Sequence, residues 1–341
     1  DGYGIKSKRN RKDSVDAHTV FRLGSVSKGF ASILAGTFEE EGTISWEDNI
    51  KLYVPEFRLR YRKQSDRVKI KHILSHTSGL KYHSLTYAIE RGYDMEEDII
   101  PRLRKMKIRS REGRRYSYQN AMYSVIGTIL ENKTGETYND LLTQRILKPL
   151  GMDDASLTYE GIKENPNHAR PHYYKRKRYR YGKINKKYYN AVPAGGVNAS
   201  ASDMTQWLQL LLGNREDIIS KETLAEIFAP QIRTRSSDRR RYFGHWGGVR
   251  NAHYGLGFRI AETKQDTFIY HGGWVNDYKA DIAIHPKDKI GICILSNANT
   301  KLSSSSIPRF LRMYKKKRDF IQNWKPDEDE VLEKVDDKPF L

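Results

Sequence analysis

Four short runs near the end of the chain, 254–258, 267–270, 279–285 and 289–295, are each too short for a helix and are separated by turn residues. That pattern predicts antiparallel strands, and Asp288 beside Pro286 predicts a hairpin between the last two. Upstream the periodicity changes. Val26, Phe30, Ile33, Leu34 and Phe38 recur at helical spacing and stop at Gly42. Helical patterns follow over 69–75, 84–107, 119–133 and 139–147. Pro193-Ala-Gly-Gly-Val197 reads as a glycine turn, and Ser202-Asp203 as the N-cap of a helix over 204–212. A stretch opening at Thr19 reads as extended. With an extended start, a helical middle and a β-rich end, the chain predicts an α+β fold whose sheet draws on both chain ends. The division expected is a sheet region over 1–55 and 195–341, interlocked with a mainly helical region over 56–194. The chain opens at Asp1 without an initiator Met, in strand-like sequence, so an upstream piece is expected.

Composition excludes several classes. Of 341 residues, 38% are hydrophobic and 11% aromatic, which is incompatible with wholesale disorder. No apolar run reaches 18 residues, so no transmembrane helix is expected. The one cysteine, Cys293, sits in the apolar run Ile290-Gly-Ile-Cys-Ile-Leu295 and reads as a core side chain rather than a reactive thiol. The net charge is +19. It concentrates where acids are absent, between Asn165 and Ser202, with Tyr173, Tyr174, Tyr179, Tyr181, Tyr188 and Tyr189 interleaved among the cations. Such a stretch suits a polyanion. Cations with aromatic rings can serve single-stranded nucleic acid, but no nucleic-acid motif accompanies them, which favours a solvated loop or hairpin tuned to an anionic surface. A basic amphipathic helix over 307–324 and an acidic tail over 327–337 close the chain. His72 and His76 have the i, i+4 spacing of a metal pair, yet neither is followed by the Glu of a metalloprotease motif. Gly195-Gly196 and Gly247-Gly248 lack the Lys-Ser/Thr of a phosphate loop.

Chemistry concentrates in three strings. Ser25-Val-Ser-Lys28 puts a hydroxyl and an amine on one helix face. A serine needs a base to become a nucleophile, and a desolvated lysine can be that base. Backbone N–H groups at the helix start can stabilise an oxyanion. Tyr118-Gln-Asn120 offers a phenol whose pKa cationic neighbours would lower, fitting it to shuttle protons, and an amide for a substrate carbonyl. His271-Gly-Gly273, at the end of a strand, would let substrate lie along the strand edge, with the N–H of Trp274 as second oxyanion donor.

In this order the three strings resemble the class C β-lactamase and low-molecular-mass penicillin-binding family. Further matching strings are Phe21-Arg-Leu-Gly-Ser-Val-Ser-Lys28, His76-Thr-Ser-Gly-Leu80, Pro149-Leu-Gly-Met152, Ala194-Gly-Gly196, Ser202-Asp-Met204 and Gly272-Gly-Trp274. The resemblance runs from about residue 20 to 298. It implies a β-lactamase/transpeptidase-like fold, an antiparallel sheet flanked by helices with an inserted helical subdomain, and no metal or cofactor. It also implies an acyl-enzyme on Ser25, with Lys28 and Tyr118 moving protons. Asn120, His271, Gly272 and Gly273 would line the substrate cleft, and the amides of Ser25 and Trp274 would form the oxyanion hole. Where β-lactamases carry Lys-Thr-Gly this chain has His271-Gly-Gly273, which resembles the esterase and D-peptidase branches. Expected substrates are an ester, a D-amino-acid peptide or a β-lactam. Expected surroundings are the periplasm or cell surface, with an anionic envelope polymer as partner. The competing expectation is a non-catalytic scaffold of the same shape that only binds that polymer.

Overall fold

The computed structural model describes residues 1–323. In chain order its strands are β1 (Ile5–Ser7), β2 (Asn10–Ser14), β3 (Phe21–Arg22), β4 (His172–Lys175), β5 (Arg178–Tyr181), β6 (Asn198–Ala199), β7 (Ile232–Arg233), β8 (Asn251–Tyr254), β9 (Arg259–Glu262), β10 (Thr267–Val275), β11 (Tyr278–His285) and β12 (Ile290–Ser296). Six of them form the main antiparallel sheet in the order β12-β11-β10-β9-β8-β7. This sheet comes wholly from residues 232–296, which corrects the expectation that both chain ends build it. The N-terminal residues turn back on themselves as the β1–β2 hairpin, and β3 pairs with β6 instead. Just beyond β12, the side-chain amide of Asn297 donates to the β1 carbonyls of Ile5 and Lys6.

One face of the sheet packs on the helix Ser27–Glu40, buried from Ser27 to Phe38. A helix apolar on all sides belongs inside the molecule. Phe30 stacks on Trp207 of the helix Ala201–Leu211 at 3.7 Å. Burial of one such aromatic stabilises by about 1.5–3 kcal/mol. The N-cap of that second helix is Ser200 rather than Ser202. Its hydroxyl accepts from Asp203 N at 3.1 Å, and the Asp203 carboxylate accepts from Ser200 N at 2.9 Å, which is a capping box. The opposite sheet face is covered by the helix Lys301–Asn323, through Tyr270, Ala283 and Ala261 against Ile307 and Leu311. The acidic tail expected over 327–337 lies outside the described residues.

The helical region docks on the Ser27–Glu40 helix through the helix Asn120–Thr134. Tyr123 donates to the carbonyl of Lys28 and contacts the Ser32 hydroxyl, both at 2.7 Å. The segment 84–107, expected as helical, is helical over Thr86–Glu90 and, in three consecutive short pieces of different pitch, over residues 95–105, with a break at 91–94. The turn expected over 193–197 is preceded and overlapped by one helical turn, Val192–Gly195. The basic stretch forms the β4–β5 hairpin, closed at Arg176-Lys177 with both residues at positive φ. Cys293 lies in β12, and burial pushes its thiol up, away from reactivity.

Candidate active site

Ser25 occupies a tight helical turn, Gly24–Val26, leading directly into the Ser27–Glu40 helix. Gly24 has φ +52 there, and a Cβ on it would lie 2.8 Å from Trp274 N. Conversely, a Cβ on Gly273 would lie 1.9 Å from Leu23 O and 3.0 Å from Ser25 N. Two glycines thus let the β10 edge lie against the Ser25 turn, which brings the amides of Ser25 and Trp274 to the same spot. Beyond Tyr270 that edge is open, because β9 pairs with β10 only over residues 267–270.

Lys28 is fully buried one helical turn on. Its amine donates to Asn120 Oδ1 and Ala194 O, each at 2.8 Å, and lies 3.5 Å from Ser25 Oγ. Desolvation first, and the Arg259 charge second, hold its pKa well below the usual lysine value. A neutral amine has two hydrogens and one lone pair. The two carbonyl oxygens take the hydrogens, and Ser25 Oγ is the contact left for the lone pair.

Tyr118 joins them in the same cleft, its ring centre 4.8 Å from the Lys28 amine and its phenol within the influence of the Ser25 side chain. Its phenol was expected to be acidified by cations. Burial instead pushes it well above the ordinary value, outweighing Arg259 and Ser25, which both pull it down. Burial thus favours the uncharged form of both groups, the amine and the phenol. The turn at His76 holds the phenol in place. Ser117 N donates to His76 O at 2.8 Å, Gln119 N donates to His76 Nδ1 at 3.2 Å, and the His76 ring lies 4.2 Å from that of Tyr118. Asn120 lines the cleft, but its amide is used internally: Oδ1 on Lys28, Nδ2 on the Tyr188 hydroxyl at 3.0 Å.

His271 departs from expectation. It lies inside β10 rather than at its end, and its ring is fully buried on the far side of the strand from Gly272. Nε2 lies 3.0 Å from the Tyr254 hydroxyl and Nδ1 3.0 Å from Gly272 O. One acceptor and one donor suit a neutral imidazole, and burial holds its pKa well below the usual histidine value. Gly272, Gly273 and Trp274 line the cleft; His271 supports them from beneath.

The cleft, about 890 Å³, also holds residues that sequence reasoning missed. Arg259 is buried beside Tyr118, donating to the Tyr116 hydroxyl at 3.0 Å and lying 3.5 Å from the Tyr242 ring centre. Among the described residues no carboxylate pairs with it, and its Nε has no partner. Asp281 and Tyr270 form another wall. On the rim, Arg22, itself buried, donates to Asn185 O at 2.9 Å and to Lys187 O, and lies 4.4 Å from the Tyr189 ring centre. His72, the other member of the spaced histidine pair, turns its Nδ1 to accept from Lys69 N at 3.1 Å.

Known proteins resemble this chain in sequence and fold. The unguisins hydrolase ungD' of Aspergillus campestris is 24% identical over 315 residues, covering 89% of this chain and 56% of that protein. The chain spans little more than half the length of such relatives. The octameric penicillin-binding protein homologue from Pyrococcus abyssi superimposes with a TM-score of 0.77 at 23% identity, over 91% of this chain and 69% of that one. A D-stereospecific amidohydrolase from Streptomyces gives 0.67 at 16% identity, over 82% and 83%. These two likenesses are of fold. The beta-lactamase family model matches residues 1–312, and with that match across nearly the whole chain, the protein belongs to the beta-lactamase family.

Proposed function

We propose that this chain is a serine hydrolase working through an acyl-enzyme on Ser25. The observation that carries the reading is the meeting of Ser25, Lys28 and Tyr118 at the open edge of β10. The neutral Lys28 amine takes the Ser25 proton as Oγ attacks a carbonyl carbon. The amides of Ser25 and Trp274 receive the oxyanion. The Tyr118 phenol hands a proton to the leaving group, and water then releases the acyl group by the reverse relay. The substrate accepts main-chain bonds along residues 271–275, as an added strand does.

Esters and D-amino-acid peptides suit this cleft better than β-lactams. A β-lactam's carboxylate would meet no lysine at 271, and the imidazole there is held neutral and turned away. The names of two relatives, a hydrolase of unguisins and a D-stereospecific amidohydrolase, agree with this choice. For setting, we propose the cell envelope or exterior, with the basic β4–β5 surface resting on an anionic polymer. Among the described residues no helix is long and apolar enough to cross a membrane. The test is labelling with a fluorophosphonate probe, read by intact mass, with a panel of p-nitrophenyl esters, D-amino-acid amides and nitrocefin alongside. One adduct, lost in Ser25→Ala, is expected. Absence of labelling and of turnover throughout the panel would leave a binding scaffold.

A further inference from the structure

The cleft holds one acid that the proposed hydrolysis does not use. Asp281 projects from β11 with 1% of its surface exposed, in the same cleft as Ser25. Its Oδ1 accepts from the Tyr270 hydroxyl at 2.6 Å and lies 3.5 Å from the Lys279 amine. Its Oδ2 has no hydrogen-bond partner among the described residues. Buried carboxylate oxygens are ordinarily satisfied, so a bare one on a residue that lines a cleft marks the place of a missing donor.

We propose that Asp281 anchors a subsite for a protonated primary amine carried on an alkyl stem of the substrate, a reading that rests on the hydrolase assignment for the rest of that substrate. Three features single out this chemistry. Only one oxygen is free, which suits the point charge of an ammonium and not the two-pronged fork of a guanidinium. Among the described residues no cluster of three acids, histidines or cysteines exists here to hold a metal. The surroundings, Tyr270, the largely exposed Trp274, Ile307 and Pro308, supply apolar walls for methylenes and a ring face for a cation.

Gly272 brings the acid close to the strand edge. It stands opposite Asp281 in the strand register, and a Cβ on it would lie 2.5 Å from the Tyr270 hydroxyl and 2.6 Å from Asp281 Oδ1. The absence of a side chain at 272 is what lets the Tyr270–Asp281 pair lie against the strand along which the scissile carbonyl would sit. Lys279 reaches only the oxygen already serving Tyr270, so it weakens the site without filling it.

The test uses hydrolysis of p-nitrophenyl acetate as reporter, inhibited by hexylammonium and by 1-hexanol, which share a stem and differ in charge. The quantity read is the ratio of the two inhibition constants within each variant, with melting temperatures checking the fold. Hexylammonium is expected to bind about tenfold tighter than hexanol in the parent, as a charge-assisted bond would give. Asp281→Asn brings the ratio near unity, and Lys279→Gln, which removes the competing cation, raises it. Equal inhibition in the parent, or a preference that survives Asp281→Asn, overturns the subsite. If no variant turns over the ester, the hydrolase reading fails separately, and calorimetric titration with hexylammonium decides the subsite by the same comparison.

Discussion

Gly273→Ala is the substitution whose effect the structure sets most narrowly. The new Cβ would lie 1.9 Å from Leu23 O, and real Cβ atoms essentially never come closer than 3.0 Å, so strand and turn must separate by about 1.1 Å. Both contacting groups are backbone, and no rotamer change relieves them. The movement opens the gap between the amides of Ser25 and Trp274, where the oxyanion would sit. A misplacement of about 1 Å costs on the order of 100-fold in rate, so kcat/KM on a p-nitrophenyl ester should fall by at least that much. The overpacking should cost about 1–3 kcal/mol of stability, seen as a lower melting temperature with a cooperative transition intact. Gly135→Ala is the control. Gly135 has φ +78 at the end of the Asn120–Thr134 helix with nothing within 4 Å of the added methyl, so it should lose about 1 kcal/mol and no activity. If Gly273→Ala turns over ester within threefold of the parent, the geometry argued for the oxyanion site is refuted.

Other consequences are equally open to measurement. Lys28→Met should lower kcat/KM by about 10²–10⁴; in the parent, activity should rise with pH along a limb well below the ordinary lysine range, because the deprotonated amine is the working form. Arg259 helps depress Lys28, so Arg259→Gln should move that limb to higher pH and Arg259→Lys should restore it; an unmoved limb removes Arg259 from the electrostatics. His76 and His271 are held well below the usual histidine value in the fold. Below about pH 6.5 the unfolded chain takes up protons that the fold refuses, and stability should drop by up to about 1.4 kcal/mol per pH unit for each. A urea midpoint that stays flat from pH 7.5 to 5 contradicts this. At the β4–β5 turn, Arg176→Asn with Lys177→Gly suits two positive-φ positions and should raise stability by about 1 kcal/mol, read from the thermal midpoint.

Much of the candidate site was legible because short local strings carry it. Ser25 and Lys28 are one helical turn apart, so their proximity follows from spacing alone, and the glycines at 272 and 273 announce a close approach. Arg259 and Asp281 were not legible for a physical reason. In Lys279-Ala-Asp281 charged residues alternate with an apolar one, the pattern of a strand with one wet face, and in Arg259-Ile-Ala-Glu262 charges sit at the two ends of a short strand, where solvent is the ordinary expectation. Here Tyr242 and the Lys301–Asn323 helix cover that face, so charges that look solvated are enclosed. His271 was misjudged by the same alternation. Its neighbours Gly272 and Gly273 both line the cleft, but a period of two turns the imidazole away from the Gly272 face and into the core. The main sheet's composition was also hidden, because pairing partners for strands as short as Phe21–Arg22 depend on tertiary closure rather than on local preference.

Arg22 gives the molecule a mechanical property that no single string reveals. Its guanidinium clasps two carbonyls of the 185–187 rim while its own backbone lies three residues ahead of the proposed nucleophile. The wall of the cleft nearest the basic hairpin and the turn bearing the serine hydroxyl are therefore one lever: a load on either end is felt at the other. A lysine in its place, with a single ammonium where a planar fork now spans two oxygens, would let the two ends move apart.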